Sequence, residues 1–179
     1  MRYVAFLRGI NVGGSHVVSM EALRAMFAGL GFTGVETFIA SGNVIFETRS
    51  KGIPALERKI EKALEMSLGY EVLTFIRSLD DVARIAACEP FPLEAAKAAV
   101  SVNVGLFKEA LPDAVCAAVV KLKTDVDDLR PLGTELYWLC VKGQGGTKIP
   151  AAAFARALKA KGTFRGMKTM AKLAAKYPA

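Results

Sequence analysis

Tyr3-Val4-Ala5-Phe6-Leu7-Arg8 runs without a break into Gly9-Ile10-Asn11-Val12-Gly13-Gly14. The first six residues combine β-branched and aromatic side chains and read as a strand. The glycines that follow make a loop, and Ser19 is placed to cap a helix, with Glu21 in its first turn. Leu23, Met26, Phe27 and Leu30 recur at helical spacing, and Gly29 and Gly31 mark the stop. Residues 35–40 and 43–48 read as two strands joined by a tight hairpin at Ser41-Gly42. Pro54 opens a second helix with Leu56, Ile60, Ala63, Leu64 and Leu68 inward. Its Arg58, Lys59, Glu61, Lys62 and Glu65 form a solvated face of mixed sign. A strand over residues 70–76 closes the set. The order β-α-β-β-α-β is the ferredoxin-like motif.

Much of that order recurs downstream. A short helix starts at Ser78-Leu79-Asp80-Asp81, and Glu89-Pro90-Phe91-Pro92 is a rigid break. A strand is expected over 101–107 and a helix over 112–123. Strands over 126–130 and 135–141 are joined across Pro131-Leu132-Gly133-Thr134. Helices over 150–159 and 165–176 follow. The predicted fold is therefore α+β, two tandem ferredoxin-like halves, 1–77 and 78–179, packed into one compact unit with a boundary near 77–81.

With 179 residues, 53% apolar and 23% charged, the chain is neither a disordered tail nor a collagen-like fibre. No apolar run approaches the roughly 18 residues of a membrane helix, and no secretory signal precedes the first strand. A cytoplasmic location is the expectation. Three cysteines, Cys88, Cys116 and Cys140, are widely spaced among small apolar neighbours, which makes them core residues rather than a disulfide framework or a zinc site. His16 is the only histidine, so a multi-histidine metal centre is excluded and any Ser-His-Asp arrangement would have to run through it. No cofactor motif is present.

Three stretches carry candidate chemistry. Arg8, Asn11, Gly13 and Gly14 occupy a strand-to-helix loop, the setting in which backbone N–H groups approach an anion. The spacing Gly9-x-x-x-Gly13-Gly14 does not match the dinucleotide fingerprint. Ser41 and Asn43 flank Gly42 in the hairpin, and their meeting with the Arg8 loop is an expectation. In the third stretch, Arg165, Lys168, Thr169, Lys172 and Lys176 share one face of the expected last helix, opposite Met167, Met170, Ala171 and Ala174. Lys148 joins them from Gly143-Gln144-Gly145-Gly146-Thr147-Lys148, which lacks the glycine spacing and Gly-Lys-Ser/Thr order of a phosphate loop. Asp127-Asp128 read as surface carboxylates.

The string Leu7-Arg8-Gly9-Ile10-Asn11-Val12-Gly13-Gly14, then Val18-x-Met20-x-x-Leu23, then Phe38-Ile39-x-Ser41-Gly42-Asn43-Val44-Ile45-Phe46, resembles a widespread bacterial family of unknown function, domain family 1697. Gly146-Thr147-Lys148 and Thr163-x-Arg165-x-x-x-Thr169-x-x-Lys172-Leu173 resemble further motifs of that family. The resemblance implies a compact α+β fold and points to Arg8, Asn11, Ser41, Gly42, Asn43 and Arg165. It implies no reaction. The chain departs from the pattern at Ala40, where the family favours glutamine, and at Gly166-Met167, where it favours Asn-Trp.

The expected function is binding of an anionic partner, a phosphorylated metabolite or nucleic acid, through the glycine-rich loop and the C-terminal basic face. An enzyme with a small anionic substrate in a cleft between the halves is a second class, with Arg8 and Arg165 as clamp. A structural or regulatory protein is a third. No strand carries the basic-aromatic pattern of an RNA-binding sheet, and Tyr137 and Trp138 point to opposite faces. The charge is not spread evenly. Residues 1–140 hold 15 basic and 17 acidic side chains, whereas residues 141–179 hold nine basic and no acidic ones, so the net +7 belongs to the C-terminal segment.

Overall fold

Strand β1 (Arg2–Leu7) is central in the first sheet of the computed structural model, which describes residues 1–11 and 17–179. After helix α1 (Met20–Gly29) come strands β2 (Thr33–Thr37) and β3 (Asn43–Glu47), helix α2 (Ile53–Leu68) and strand β4 (Thr74–Ser78). The sheet order is β2-β3-β1-β4 with antiparallel neighbours, the ferredoxin-like arrangement. Ser19 caps α1 as expected, its Oγ accepting from Ala22 N at 3.1 Å. Tyr3, Ala5 and Leu7 pack against Leu23 and Phe27 of α1 and Leu56, Ile60 and Leu64 of α2. Val4 and Phe6, on the opposite face of β1, are buried as well. Burial on both faces is why this strand reads as an unbroken apolar run and not as an alternation.

Helices α3 (Leu79–Ala86) and α4 (Leu93–Ala98) lead to β5 (Ser101–Leu106), α5 (Asp113–Val120), β6 (Asp127–Leu132), β7 (Glu135–Cys140), α6 (Ala151–Leu158), β8 (Thr163–Gly166) and α7 (Met167–Lys176). The second sheet has the order β6-β7-β5-β8, again antiparallel, so both sheets share one topology. The repeat extends to single residues. Leu7 pairs with Thr74 and Leu106 with Thr163, and each of these buried threonines is followed by a phenylalanine, Phe75 and Phe164. The chain divides into two units, Met1–Arg84 with Leu173–Ala179, and Ile85–Lys172.

Several local expectations change. The hairpin between β2 and β3 is not a two-residue turn, because the strands stop at Thr37 and Asn43 and leave a five-residue loop. Strand β4 starts at Thr74 and not at Tyr70. Strand β6 continues through Pro131 and Leu132 to a two-residue turn at Gly133-Thr134. An edge strand has a side without a ladder partner, where a missing N–H costs little. Arg165 lies on β8, not on a helix; four residues are too few to show a period-2 signal, and pairing with β5 decides their conformation. Glu61 leaves the solvated face assigned to it. It accepts from Thr74 N at 2.8 Å while the buried Glu57 accepts from Ile76 N at 3.0 Å, so two carboxylates of α2 satisfy the outer edge of β4. Of the cysteines, only Cys140 is fully buried; Cys88 and Cys116 are half-buried.

The last residues complete the first unit. Leu173 and Tyr177 are buried, and the Tyr177 hydroxyl donates to Glu36 Oε2 at 2.8 Å. Its ring meets Phe38 edge-on at 6.4 Å and lies under the Arg2 guanidinium at 5.0 Å. Arg2 Nη2 also reaches Glu36 Oε1 at 2.8 Å.

Candidate functional site

Leaving the sheet after Leu7, the chain turns sharply. Leu7 N donates to Gly42 O at 2.8 Å and Arg8 N to Leu73 O at 2.9 Å, so the loop after β1 is tied to the hairpin on one side and to the chain before β4 on the other. Gly9 takes φ +79° and Asn11 φ +55°, both in the left-handed region. The Asn11 carboxamide is the clasp. Its Oδ1 accepts from Val18 N at 2.7 Å, and its Nδ2 donates to Val18 O at 3.1 Å and to Ala40 O at 3.2 Å.

The hairpin answers in kind. Phe38 N donates to Asn43 O at 2.9 Å, and the wholly buried Asn43 donates from Nδ2 to Phe38 O at 2.9 Å and Ser41 Oγ at 3.0 Å. Gly42 has φ +75°, and a Cβ there would stand 3.1 Å from Leu7 Cβ and 3.3 Å from Ile10 Cβ. Glycine is required for that approach. Ile39, a β-branched residue, is held at φ +52°, a conformation such side chains rarely adopt. The two loops expected to meet therefore do meet, at one end of the first sheet. Arg8, Gly9, Ile39, Ala40 and Ser41 form their solvent-exposed rim. Among the described residues the Arg8 guanidinium makes no ion pair, and apart from its two chain neighbours none lies within 4 Å of the place a Gly9 Cβ would take. Gly13, Gly14 and His16 lie outside the described residues.

The C-terminal candidates separate. Lys168 and Lys172 are exposed on α7 and Thr169 is half-buried, while Met170 and Leu173 are buried on its other side. Ala171, expected inward, is exposed. Arg165 is buried on β8; its Nη1 donates to Thr163 Oγ1 at 2.8 Å and Phe164 O at 2.9 Å, and burial pulls its pKa down to about 10. Lys148 is exposed and paired with Asp125 at 2.6 Å. Tyr137 is buried, and Trp138 stacks on Phe154 with ring centroids 5.5 Å apart, so both aromatics are spent on packing.

Asp127, expected at the surface, is buried. It is 2% exposed, and its carboxylate accepts from Thr124 Oγ1 and Thr147 Oγ1 at 2.8 Å, Lys148 N at 2.9 Å and Trp138 Nε1 at 3.0 Å. Burial alone would raise its pKa; the hydrogen bonds outweigh burial and hold the carboxyl below its ordinary value. The Gly143–Lys148 loop is thus anchored from below. A sequence signal existed: Asp127 follows Val126 inside a strand pattern, where an acid demands partners.

Two sheets of the same ferredoxin-like order, the first with the loop after β1 clasped to the β2–β3 hairpin, define the class of fold. The chain belongs to the family described as protein of unknown function DUF1697, whose model matches residues 1–137. It is similar over nearly its whole length to a solved structure, the conserved bacterial protein SP0830 from Streptococcus pneumoniae. The two are 27% identical with a TM-score of 0.74, and the match covers 97% of each chain. No curated protein matches the chain. The family match contains both loops of the site; β8 and α7 lie beyond its last residue.

Proposed function

We propose that the protein binds a small anionic ligand, a phosphorylated metabolite in class, at the loop pair beside Arg8. The observation that carries this reading is a left-handed Ile39 and an exposed Arg8, without an ion pair among the described residues, on two loops bonded to one another. Backbone strain at a β-branched residue persists only where surrounding structure over-determines it, and such strain concentrates at binding sites. Asn11 and Asn43 spend their carboxamides on holding the loops, so they position the rim, while Arg8 and Ser41 face the ligand. A guanidinium offers a planar fork matched to phosphate or carboxylate.

Thermal-shift titration with inorganic phosphate, sugar phosphates and nucleotides tests it. At saturation near 100 times Kd, a ligand raises stability by about 2.7 kcal/mol. The rise is expected in the parent protein and lost in Arg8→Ala. No rise with any of these anions, or the same rise in Arg8→Ala, rejects the reading.

A second reading rests on a separate observation. Residues 141–179 carry nine cations and no acid, and all but Arg165 of those cations are exposed. That segment suits a polyanion such as nucleic acid, held through its backbone phosphates.

A further inference from the structure

The second unit contains a half-open cavity of about 260 Å³ that none of the site residues above explains, apart from Lys168 at its rim. Ala96 of α4, Ala99 just after it, Val100, Ser101 and Val102 around the start of β5, and Met167 and Lys168 of α7 line it. Small residues create the hollow. A Cβ built on Gly166, which also lines it, would find only Asn103 Oδ1, at 3.9 Å, so a side chain could stand there and none does. Val100 is 66% exposed, an apolar side chain left facing solvent at the mouth.

Chemistry at the mouth has one sign. The Lys168 ammonium makes no hydrogen bond or ion pair among the described residues, and no acid lines the cavity. Glu94, on the same short helix as Ala96, is engaged with Lys97 at 3.5 Å. The chain from 141 onward, which supplies Gly166, Met167 and Lys168, carries no acid at all.

We propose that this cavity binds a small organic monoanion, its apolar body against the alanines and valines and its carboxylate at Lys168. Volume sets the size. A dry cavity of roughly 150 Å³ accepts benzene, and drug-sized pockets begin near roughly 300 Å³. The occupant therefore has about six to ten heavy atoms. Neither a bare phosphate nor a nucleotide fits this description, one lacking the apolar body and the other exceeding the space. The cavity shares no residue with the Arg8 loops, so the two sites stand or fall separately.

Hexanoate is the probe, with hexanol as its neutral counterpart, titrated into the ¹⁵N-labelled full chain and followed by amide chemical shifts. Hexanoate is expected to shift Ser101, Val102 and residues 166–168 at millimolar concentration. Hexanol should bind about two- to fivefold more weakly, the worth of one exposed ion pair, and Lys168→Gln should impose the same loss on hexanoate. Gly166→Val, which places its methyl groups in the hollow, should abolish the shifts. Lys168 is exposed, so Lys168→Gln reads charge without disturbing the fold. Equal binding of hexanoate and hexanol overturns the proposal, as does hexanoate binding unchanged by Lys168→Gln. Absent shifts, or shifts centred elsewhere, overturn it too.

Discussion

Asp127 accepts four hydrogen bonds from three different parts of the second unit, and an amide in its place could accept at only one of its two heteroatoms. Asp127→Asn is expected to lose about 2–3 kcal/mol, since a buried donor then faces donors. Differential scanning calorimetry should show the loss as a fall of about 5–10 °C in Tm. The pH dependence has a definite sign. The folded pKa lies below the ordinary 3.8, so the stabilisation is complete above that value and disappears as the pH falls through the lower folded one. Cys140 makes a second residue-scale case. Burial pushes its thiol up to about 11, while Cys88 and Cys116 are partly accessible. Alkylation with iodoacetamide under native conditions should modify Cys88 and Cys116 and spare Cys140 until the protein is unfolded. Composition could not separate these three, because each has small apolar neighbours and differs only in what packs over it.

Elements were legible where the pattern was long. The strand at Tyr3, the Ser19 cap and the Pro54 helix start are local signals, and each lies within a few residues of its observed place. Strand β8 and the five-residue hairpin loop were not, because pairing with β5 and contact with Leu7 decide them, and both partners are far along the chain. The clasp between the Arg8 loop and the hairpin could be expected from two polar loops, yet its cause, the Asn11 carboxamide reaching Ala40, is visible only in three dimensions. Opposite substitutions in that hairpin should have opposite effects. Gly42→Ala puts a Cβ into the left-handed region and against Leu7, and should cost about 2 kcal/mol. Ile39→Gly relieves strain at an exposed position and should raise stability by about 0.5–1 kcal/mol. Urea denaturation of both variants tests the pair; a destabilised Ile39→Gly would show that the conformation is not strained.

At the scale of the whole molecule, charge and topology are set by different things. The shared sheet order goes with the same succession of strands and helices in the two units, whereas the positive charge belongs to the segment from 141 to 179. If that segment holds a polyanion, heparin or oligonucleotide affinity should fall steeply with salt, and Lys168→Gln with Lys172→Gln should reduce the slope of log K against log salt by about 2. An unchanged slope would place the polyanion elsewhere.

Tyr177 and its neighbours from Leu173 to Ala179 belong to the first unit, although the 88 residues of Ile85–Lys172 intervene. On the ribosome this separates two events in time. Strands β1 to β4 can assemble as soon as they emerge, but Glu36, Phe38 and Arg2 must wait for Tyr177. At a synthesis rate of about 5–20 residues per second, the wait is roughly 4–18 seconds. Through that interval the nascent first unit presents an aromatic edge and an uncovered carboxylate, so the surface that Tyr177 later covers is the one a chaperone would meet.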